Sequence, residues 1–313
     1  MPPRGVPRRI LVTGATGFVG KHLLPVLAAR FPDAAMLAPA FDVTDPDATA
    51  AAIEDATPDA VVHLAAVAAI PAAQNDPETA WQVNLLGTLR LARALRATSP
   101  EAVLLWVGSA DAYGASFRAG TPLDESALLA PLNTYGATKA ATDLALGAMA
   151  ADGLRVVRAR SFNHTGPGQS PSFVVPAFAR QVARIAAGLQ PPVLDVGALD
   201  PRRDFLDVRD VCAAYATILE RGDRLPAGTV LNIASGVPRR ISDVLQWLID
   251  RAGVPVEVRT DAARLRTTDI PVALGDAGLA RALLDWAPGI AWEQTLADVL
   301  DDWNARVAAD PDG

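Results

Sequence analysis

The sequence predicts an α/β fold: a parallel sheet with helices on both faces, joined to a smaller, mostly C-terminal α/β unit. Three observations predict it. Short apolar runs alternate with helical segments through the first half of the chain, the pattern of successive βαβ units. A glycine-rich turn, Thr13-Gly14-Ala15-Thr16-Gly17-Phe18-Val19-Gly20, follows the first apolar run and opens a helix. After Ser161 the alternation gives way to a loop rich in Gly, Pro and His, and the order of elements changes.

Taken in order, Arg9 to Thr13 reads as a short buried strand and Gly17 to Ala29 as the helix after it, bent by Pro25. Ala34 to Leu37 is a brief second strand. Asp45-Pro46 supplies an N-cap with proline at the first helical position. Ala60 to Ala65 is a buried strand, and Glu78 to Ala97 a long helix carrying Trp81, Leu85, Leu89, Ala92 and Leu95 on one face. Ala102 to Val107 is a strand ending at Gly108-Ser109; Tyr135 to Ala151 is a helix, and Arg155 to Arg160 the next strand. Further on, Phe173 to Gly188 is helical, Val193 to Arg203 irregular and Asp207 to Arg221 helical. Val230 to Ala234 is a strand able to rejoin the sheet, and two or three helices with short strands complete the chain. The expected division is a dinucleotide-binding unit of residues 1–163 and 209–234, and a second unit of 164–208 and 235–313.

Composition narrows the classes of function. Half of the 313 residues are hydrophobic and 20% are charged, an ordinary globular balance with ample core. The net charge of -7 speaks against a nucleic-acid surface. Cys212 is the single cysteine, which rules out an internal disulfide and suits a reducing cytosol. His22, His63 and His164 are scattered, with no metal-ligand spacing. The apolar run after Arg4–Arg9 is too short for a signal peptide, and Ala60 to Ala73 is too short to span a membrane. A cytoplasmic protein is expected.

Two features carry chemistry. Gly14, Gly17 and Gly20 allow a sharp turn, close approach of a pyrophosphate and tight helix–strand packing, with the helix N-terminus facing the phosphates of a Rossmann-type sheet. At the end of the second strand an acid would grip a ribose 2′-hydroxyl and an arginine a 2′-phosphate, but Ala38-Pro39-Ala40 stands there. Asp42, followed by Val43, is expected at the adenine, and the choice between NADH and NADPH stays open. The second feature is Tyr135 and Lys139, four residues apart on one helix face. The lysine is expected to lower the tyrosine pKa and so make it a proton carrier beside a hydroxyl or carbonyl carbon.

With these segments in view, the chain resembles the extended short-chain dehydrogenase/reductases that modify nucleotide sugars. The resemblance rests on residues 13–20, HLAA (63–66), Asn84 with Gly87-Thr88, GSADAYG (108–114), YGATK (135–139) and FNHTGPGQ (162–169). It implies that Ser109 completes a triad with Tyr135 and Lys139, and that Lys139 holds the nicotinamide ribose. It implies cofactor contacts at Gly14, Thr16, Gly17, Phe18, Val19, Asp42, Val43, Leu64, Ala65, Ala66 and Asn84. Sugar dehydratases of this group carry a carboxylate at the position of Asp111, as do some reductases. RRDFLDVRDV (202–211) and RLRTTDIPVALGD (264–276) narrow the likeness to enzymes of GDP-linked 6-deoxy-4-keto-hexoses and GDP-mannose. Asn163, Val174, Arg203, Arg266 and Asp269 are then expected at the GDP-linked sugar, the arginines on its diphosphate and Asp269 on the nucleotide ribose. Val67-Ala68-Ala69 replaces the polar residues usual after HLAA, and Thr267 and Asp269 replace the usual proline and glutamate. The implied reaction is reduction of a 4-keto group with NADPH or NADH, in a homodimer joined through four helices. Dehydratase and 4-epimerase chemistry use the same triad without net cofactor consumption, and a dinucleotide sensor would use the fold without the triad.

Overall fold

The computed structural model describes residues 6–261 and 270–310. Its centre is a six-stranded parallel sheet in the order β2 (Ala35–Leu37), β1 (Arg9–Thr13), β3 (Ala60–His63), β4 (Val103–Val107), β5 (Val156–Ser161) and β9 (Val230–Ile233). The order reverses between β1 and β3, the place where open α/β sheets hold ligands beyond their strand ends. Helices α1 (Phe18–Arg30), α2 (Pro46–Ala56), α3 (Ile70–Asn75), α4 (Pro77–Trp81), α5 (Thr88–Thr98), α6 (Thr134–Ala151) and α8 (Val208–Arg221) surround it.

Alternation along each strand builds two apolar layers. Ile10, Val12, Val62, Leu105 and Val157 face α1 and α8, where Leu23, Leu27, Val211, Tyr215 and Ile218 are buried. Leu11, Val61, Leu104, Trp106 and Val156 face the other way, onto Ile53, Leu91, Leu95 and Leu146 of α2, α5 and α6. Each such side chain contributes about 1.5–3 kcal/mol on burial, so a slip of one residue in register would cost the whole layer. The predicted cap holds: Asp45 accepts from Asp47 N and Ala48 N, with Pro46 opening α2.

A separate core joins α7 (Val174–Ala186), α9 (Ile241–Ala252) and α11 (Trp292–Ala309) through Val175, Phe178, Val244, Leu248, Leu300 and Trp303. Short strands surround it: β6 (Asn163–Thr165), β7 (Val193–Val196), β8 (Arg202–Asp207), β10 (Pro238–Arg240), β11 (Glu257–Thr260) and β12 (Val272–Ala273). Helix α10 (Gly278–Leu284) returns Ala280 and Leu284 to the first core.

Two expectations are corrected. Residues 78–97 are not one regular helix: α4 and α5 are joined by a π-helical segment, Gln82–Gly87. The wider turn shifts the phase of the apolar stripe, so Trp81 is exposed while Leu91, Ala92 and Leu95 are buried. The stretch 193–203 is not irregular, because β7 pairs with β11 and β8 with β6, β10 and β12. The segment directly after it, 204–210, carries three aspartates, each with a structural role. Buried Asp204 accepts from Ser235 N, Ser235 Oγ and Gly236 N at 2.8, 2.6 and 2.9 Å. Asp207 caps α8 and accepts from Thr295 Oγ1 at 2.8 Å, and Asp210 accepts from Gly289 N at 3.0 Å. The carboxylates of this stretch therefore staple the turns and helices around it.

Candidate active site

The glycine turn lies where the strand order reverses. Gly14 has φ +66, and a Cβ there would stand 2.8 Å from Ala65 N, so the tips of β1 and β3 meet only because the position is glycine. Gly17 N donates to Gly14 O at 3.0 Å and caps α1 in an extended conformation. A Cβ on Gly20 would lie 2.4 Å from Ala15 O, so this glycine seats α1 against the turn. The first turn of α1 carries no acidic residue and no side-chain cap, leaving its amides and dipole to an anion. Gly14, Thr16 and Gly17 are exposed, and Phe18 and Val19 half-buried. Asp42 is exposed and turns Oδ1 onto Thr44 N and Oγ1 at 2.8 and 2.7 Å, while Val43 is buried.

Behind half-buried Leu64, Ala65 and Ala66 runs a chain of hydrogen bonds. Thr13 Oγ1 accepts from Ala65 N at 3.2 Å and meets His63 Nδ1 at 2.7 Å. His63 Nε2 meets Thr88 Oγ1 at 3.0 Å, and Thr88 donates onward to Asn84 O at 2.8 Å. This order assigns the proton to Nε2. Burial, with the charge of Lys139 adding to it, pushes the His63 pKa down to about 3. The ring is neutral and braces the strand end. Asn84 lies in the π-helical segment. Its Oδ1 accepts from Val67 N at 2.8 Å, and its Nδ2 donates to Val67 O at 3.1 Å and Thr138 Oγ1 at 3.0 Å. The amide expected to meet cofactor is thus spent inside the protein, joining the loop after β3 to α6.

Tyr135, Lys139, Ser109 and Asp111 are brought together. Ser109 ends the β4 strand run and caps a 3₁₀ turn, Ala110–Ala112, accepting from Asp111 N at 3.1 Å and donating to Asp111 Oδ2 at 3.3 Å. Asn133 caps α6 through Gly136 N at 2.8 Å. A Cβ on Gly136 would lie 2.6 Å from Asp111 O, so the glycine lets this turn touch the helix. Tyr135, in the first turn of α6, packs on Ala73 and Ala80. Its pKa is raised, first by burial and then by the charge of Asp111, against a hydrogen bond with Ser109. The expected lowering by Lys139 is therefore corrected: burial, with the charge of Asp111, raises the phenol instead. Lys139 Nζ donates to Val107 O at 2.9 Å and lies 5.3 Å from the Trp106 ring centroid and 5.9 Å from that of Tyr135. Burial pushes its own pKa down to about 8.

The anchors of α6 escaped sequence reasoning. Asp143, one turn after Lys139, accepts from Arg158 Nη1 at 2.8 Å and from Arg160 Nε and Nη2 at 2.9 and 3.0 Å. Arg160 donates on to Tyr113 Oη at 3.0 Å, and Tyr113 to Asn232 Oδ1 at 2.7 Å. The signal was present: two arginines at alternate positions of one buried strand need a carboxylate opposite.

Of the residues expected at the sugar, Asn163 is exposed at the start of β6 and Val174 half-buried at the start of α7. Arg203 Nη1 donates to Arg202 O and Ile270 O, both at 2.9 Å. Arg266, Thr267 and Asp269 lie outside the described residues. The loop after β6 touches both cores. His164 stacks on Phe18 at 6.3 Å, His22 Nε2 donates to Pro167 O at 2.8 Å, and Gly168 N donates to Asp302 Oδ2 at 2.9 Å. Among the described residues no His, Cys, Asp and Glu cluster could hold a metal ion, and no helix is long and apolar enough to cross a membrane.

Residues 10–234 match the NAD dependent epimerase/dehydratase family. The chain is 41% identical over 303 residues to the GDP-6-deoxy-D-mannose reductase of Pseudomonas aeruginosa, covering 96% of this chain and 98% of that protein. It is 29% identical to the GDP-6-deoxy-D-talose 4-dehydrogenase of Aggregatibacter actinomycetemcomitans, over 86% and 88% of the two chains. The solved structure of RMD from Pseudomonas aeruginosa complexed with NADPH superposes with a TM-score of 0.87 at 39% identity, covering 96% of this chain and all of that one.

Proposed function

This chain belongs to the NAD dependent epimerase/dehydratase family, and from that premise we propose that it reduces the 4-keto group of a GDP-6-deoxy-4-keto-hexose with NADPH, giving GDP-D-rhamnose. The near end-to-end likeness to a GDP-6-deoxy-D-mannose reductase carries the reading. The residues present fit the cofactor: the exposed Gly14, Thr16 and Gly17 and the uncapped N-terminus of α1 suit a pyrophosphate. When bound, the nicotinamide supplies the hydride. Ser109 and Tyr135 hold the carbonyl oxygen by hydrogen bonds. The raised pKa of Tyr135 keeps its phenol protonated at neutral pH, so in the reducing direction it donates its proton to the oxygen as charge develops. Lys139 is cationic below about pH 8 and holds the nicotinamide ribose beside that phenol. Asp111 keeps Ser109 oriented through the bond at 3.3 Å. Asn163, Val174, Arg203, Arg266 and Asp269 form the site for the GDP-linked sugar, in a unit of residues 164–208 and 235–313 distinct from the dinucleotide-binding unit of 1–163 and 209–234.

The reading is of a cytoplasmic homodimer. Exposed Trp81, Leu86 and Leu144, on the π-joined helix and α6, support an interface built from these helices of two copies. A monomeric mass by light scattering would contradict it. The function is tested by incubating the protein with GDP-4-keto-6-deoxy-mannose or GDP-mannose and either NADPH or NADH, and identifying products by NMR. Stoichiometric oxidation of NADPH with formation of GDP-D-rhamnose is expected. Conversion of GDP-mannose without net cofactor consumption would show a dehydratase instead.

A further inference from the structure

NADPH differs from NADH by one phosphate, on the adenosine 2′-oxygen. The stretch that commonly supplies its arginine is here Ala38-Pro39-Ala40, and residues 35–48 contain no lysine or arginine but three aspartates, Asp42, Asp45 and Asp47. Left to itself this segment repels a dianion. A cation approaches it from the opposite side. Gly87 is packed so closely on the segment that a Cβ there would lie 2.9 Å from Val43 Cγ2. Arg90 follows three residues later in the first turn of α5, and helical side chains lean back toward the N-terminus. That carries its guanidinium toward Phe41–Thr44. The Asp42 pKa is lowered, first by its hydrogen bonds to Thr44 and in addition by the charge of Arg90. Arg90 Nη1 is buried and makes no hydrogen bond. Asp42 Oδ1 is already spent on Thr44 N and Oγ1. A desolvated donor on a permanent cation is poorly satisfied until an anion takes it, and the long arginine side chain can swing to meet one.

Resting on the cofactor assignment above, we infer that Arg90 reaches across the Phe41–Thr44 bend to grip the 2′-phosphate and makes this chain selective for NADPH. The phosphate-binding cation comes from α5 and not from the end of β2.

Binding, not turnover, is the readout. Dissociation constants for NADPH and NADH are measured by calorimetry on the wild type, Arg90→Met, Arg90→Lys and the double variant Arg90→Met with Ala40→Arg. The wild type prefers NADPH by about tenfold or more, and Arg90→Met loses about ten- to hundredfold for NADPH while NADH binding stays within about threefold. Arg90→Lys, which keeps the charge but not the fork, falls between. Ala40→Arg, which puts a cation at the end of β2, restores the preference. NADH bound as an unchanged control shows that the methionine variant is folded. Equal loss for both dinucleotides would mean that Arg90 serves the adenine or the fold, and would overturn the inference. So would a wild type without preference. A wild type that binds neither dinucleotide would refute the cofactor assignment itself, and the inference with it.

Discussion

Asp143→Ala should damage stability and catalysis together. The Asp143 side chain is 1% exposed and its partners Arg160 and Arg158 are 6% and 14% exposed. Removing the carboxylate leaves two guanidinium groups buried beside α6 without their counter-charge. Breaking a buried pair from one side costs about 3–5 kcal/mol. For a chain of this size roughly 2 °C of melting temperature is lost per kcal/mol, so a fall of about 6–10 °C is expected. The second effect follows from position. Tyr135 and Lys139 lie two turns and one turn before Asp143 on the same helix, and Arg158 and Arg160 fix that helix to β5. Loosening it should displace the phenol from Ser109 and lower kcat more than it weakens NADPH binding, because the glycine turn belongs to β1 and α1. Scanning calorimetry gives the first quantity, and steady-state kinetics with a dinucleotide titration give the second. A melting temperature within 2 °C of wild type with unchanged kcat would refute the assignment of Asp143 as the anchor of α6.

Other outcomes follow from the same geometry. Tyr135→Phe should lower kcat by about 10²–10⁴-fold with NADPH affinity nearly unchanged; activity within a few-fold of wild type would remove the phenol from the proton transfer. Lys21 and Lys139 are the only lysines, so ¹³Cε-lysine NMR can isolate the Lys139 signal, which should titrate with a midpoint near 8. Because the folded pKa lies below the unfolded value of 10.5, the cost of burying the charged amine is full below about pH 8 and is relieved as pH rises toward 10.5; stability should rise across that window in wild type and lose this slope in Lys139→Met. Arg203→Ala and Arg266→Ala should each raise KM for the GDP-linked substrate about ten- to hundredfold, the loss of a charge-assisted bond worth roughly 1.5–3 kcal/mol, and unchanged GDP binding by calorimetry would show that the second core has been misread.

The sheet was legible because its strands are short apolar runs alternating with helical segments, and because Asp45-Pro46 and the glycine turn announce their helices by local chemistry. The pairing of Tyr135 and Lys139 was legible from their spacing on one helix, while the places of Ser109 and Asp111 beside them were implied by the family resemblance. What stayed hidden depends on contacts distant in sequence. The π-helical segment leaves no composition signal, since its phase shift is set by Asn84 bonding Val67 and Thr138. Strand β8 looks polar because Asp204 and Asp207 are buried for their hydrogen bonds, and β7 because its Asp195 pairs with Arg259 of β11. The tyrosine pKa was misjudged because spacing reports the nearby lysine but not the desolvation that opposes it.

The loop from Asn163 to Gly168 has a mechanical consequence. It is gripped on one side by α1, through Phe18 and His22, and on the other by α11, through Asp302. On the proposed reading, helix α1 presents its uncapped N-terminus to the dinucleotide, while α11 belongs to the core that includes Val174. The strap therefore ties α11 to α1 across six residues. Trimming or lengthening that strap is expected to shift α1 against α11 while leaving Ser109, Tyr135 and Lys139 in place.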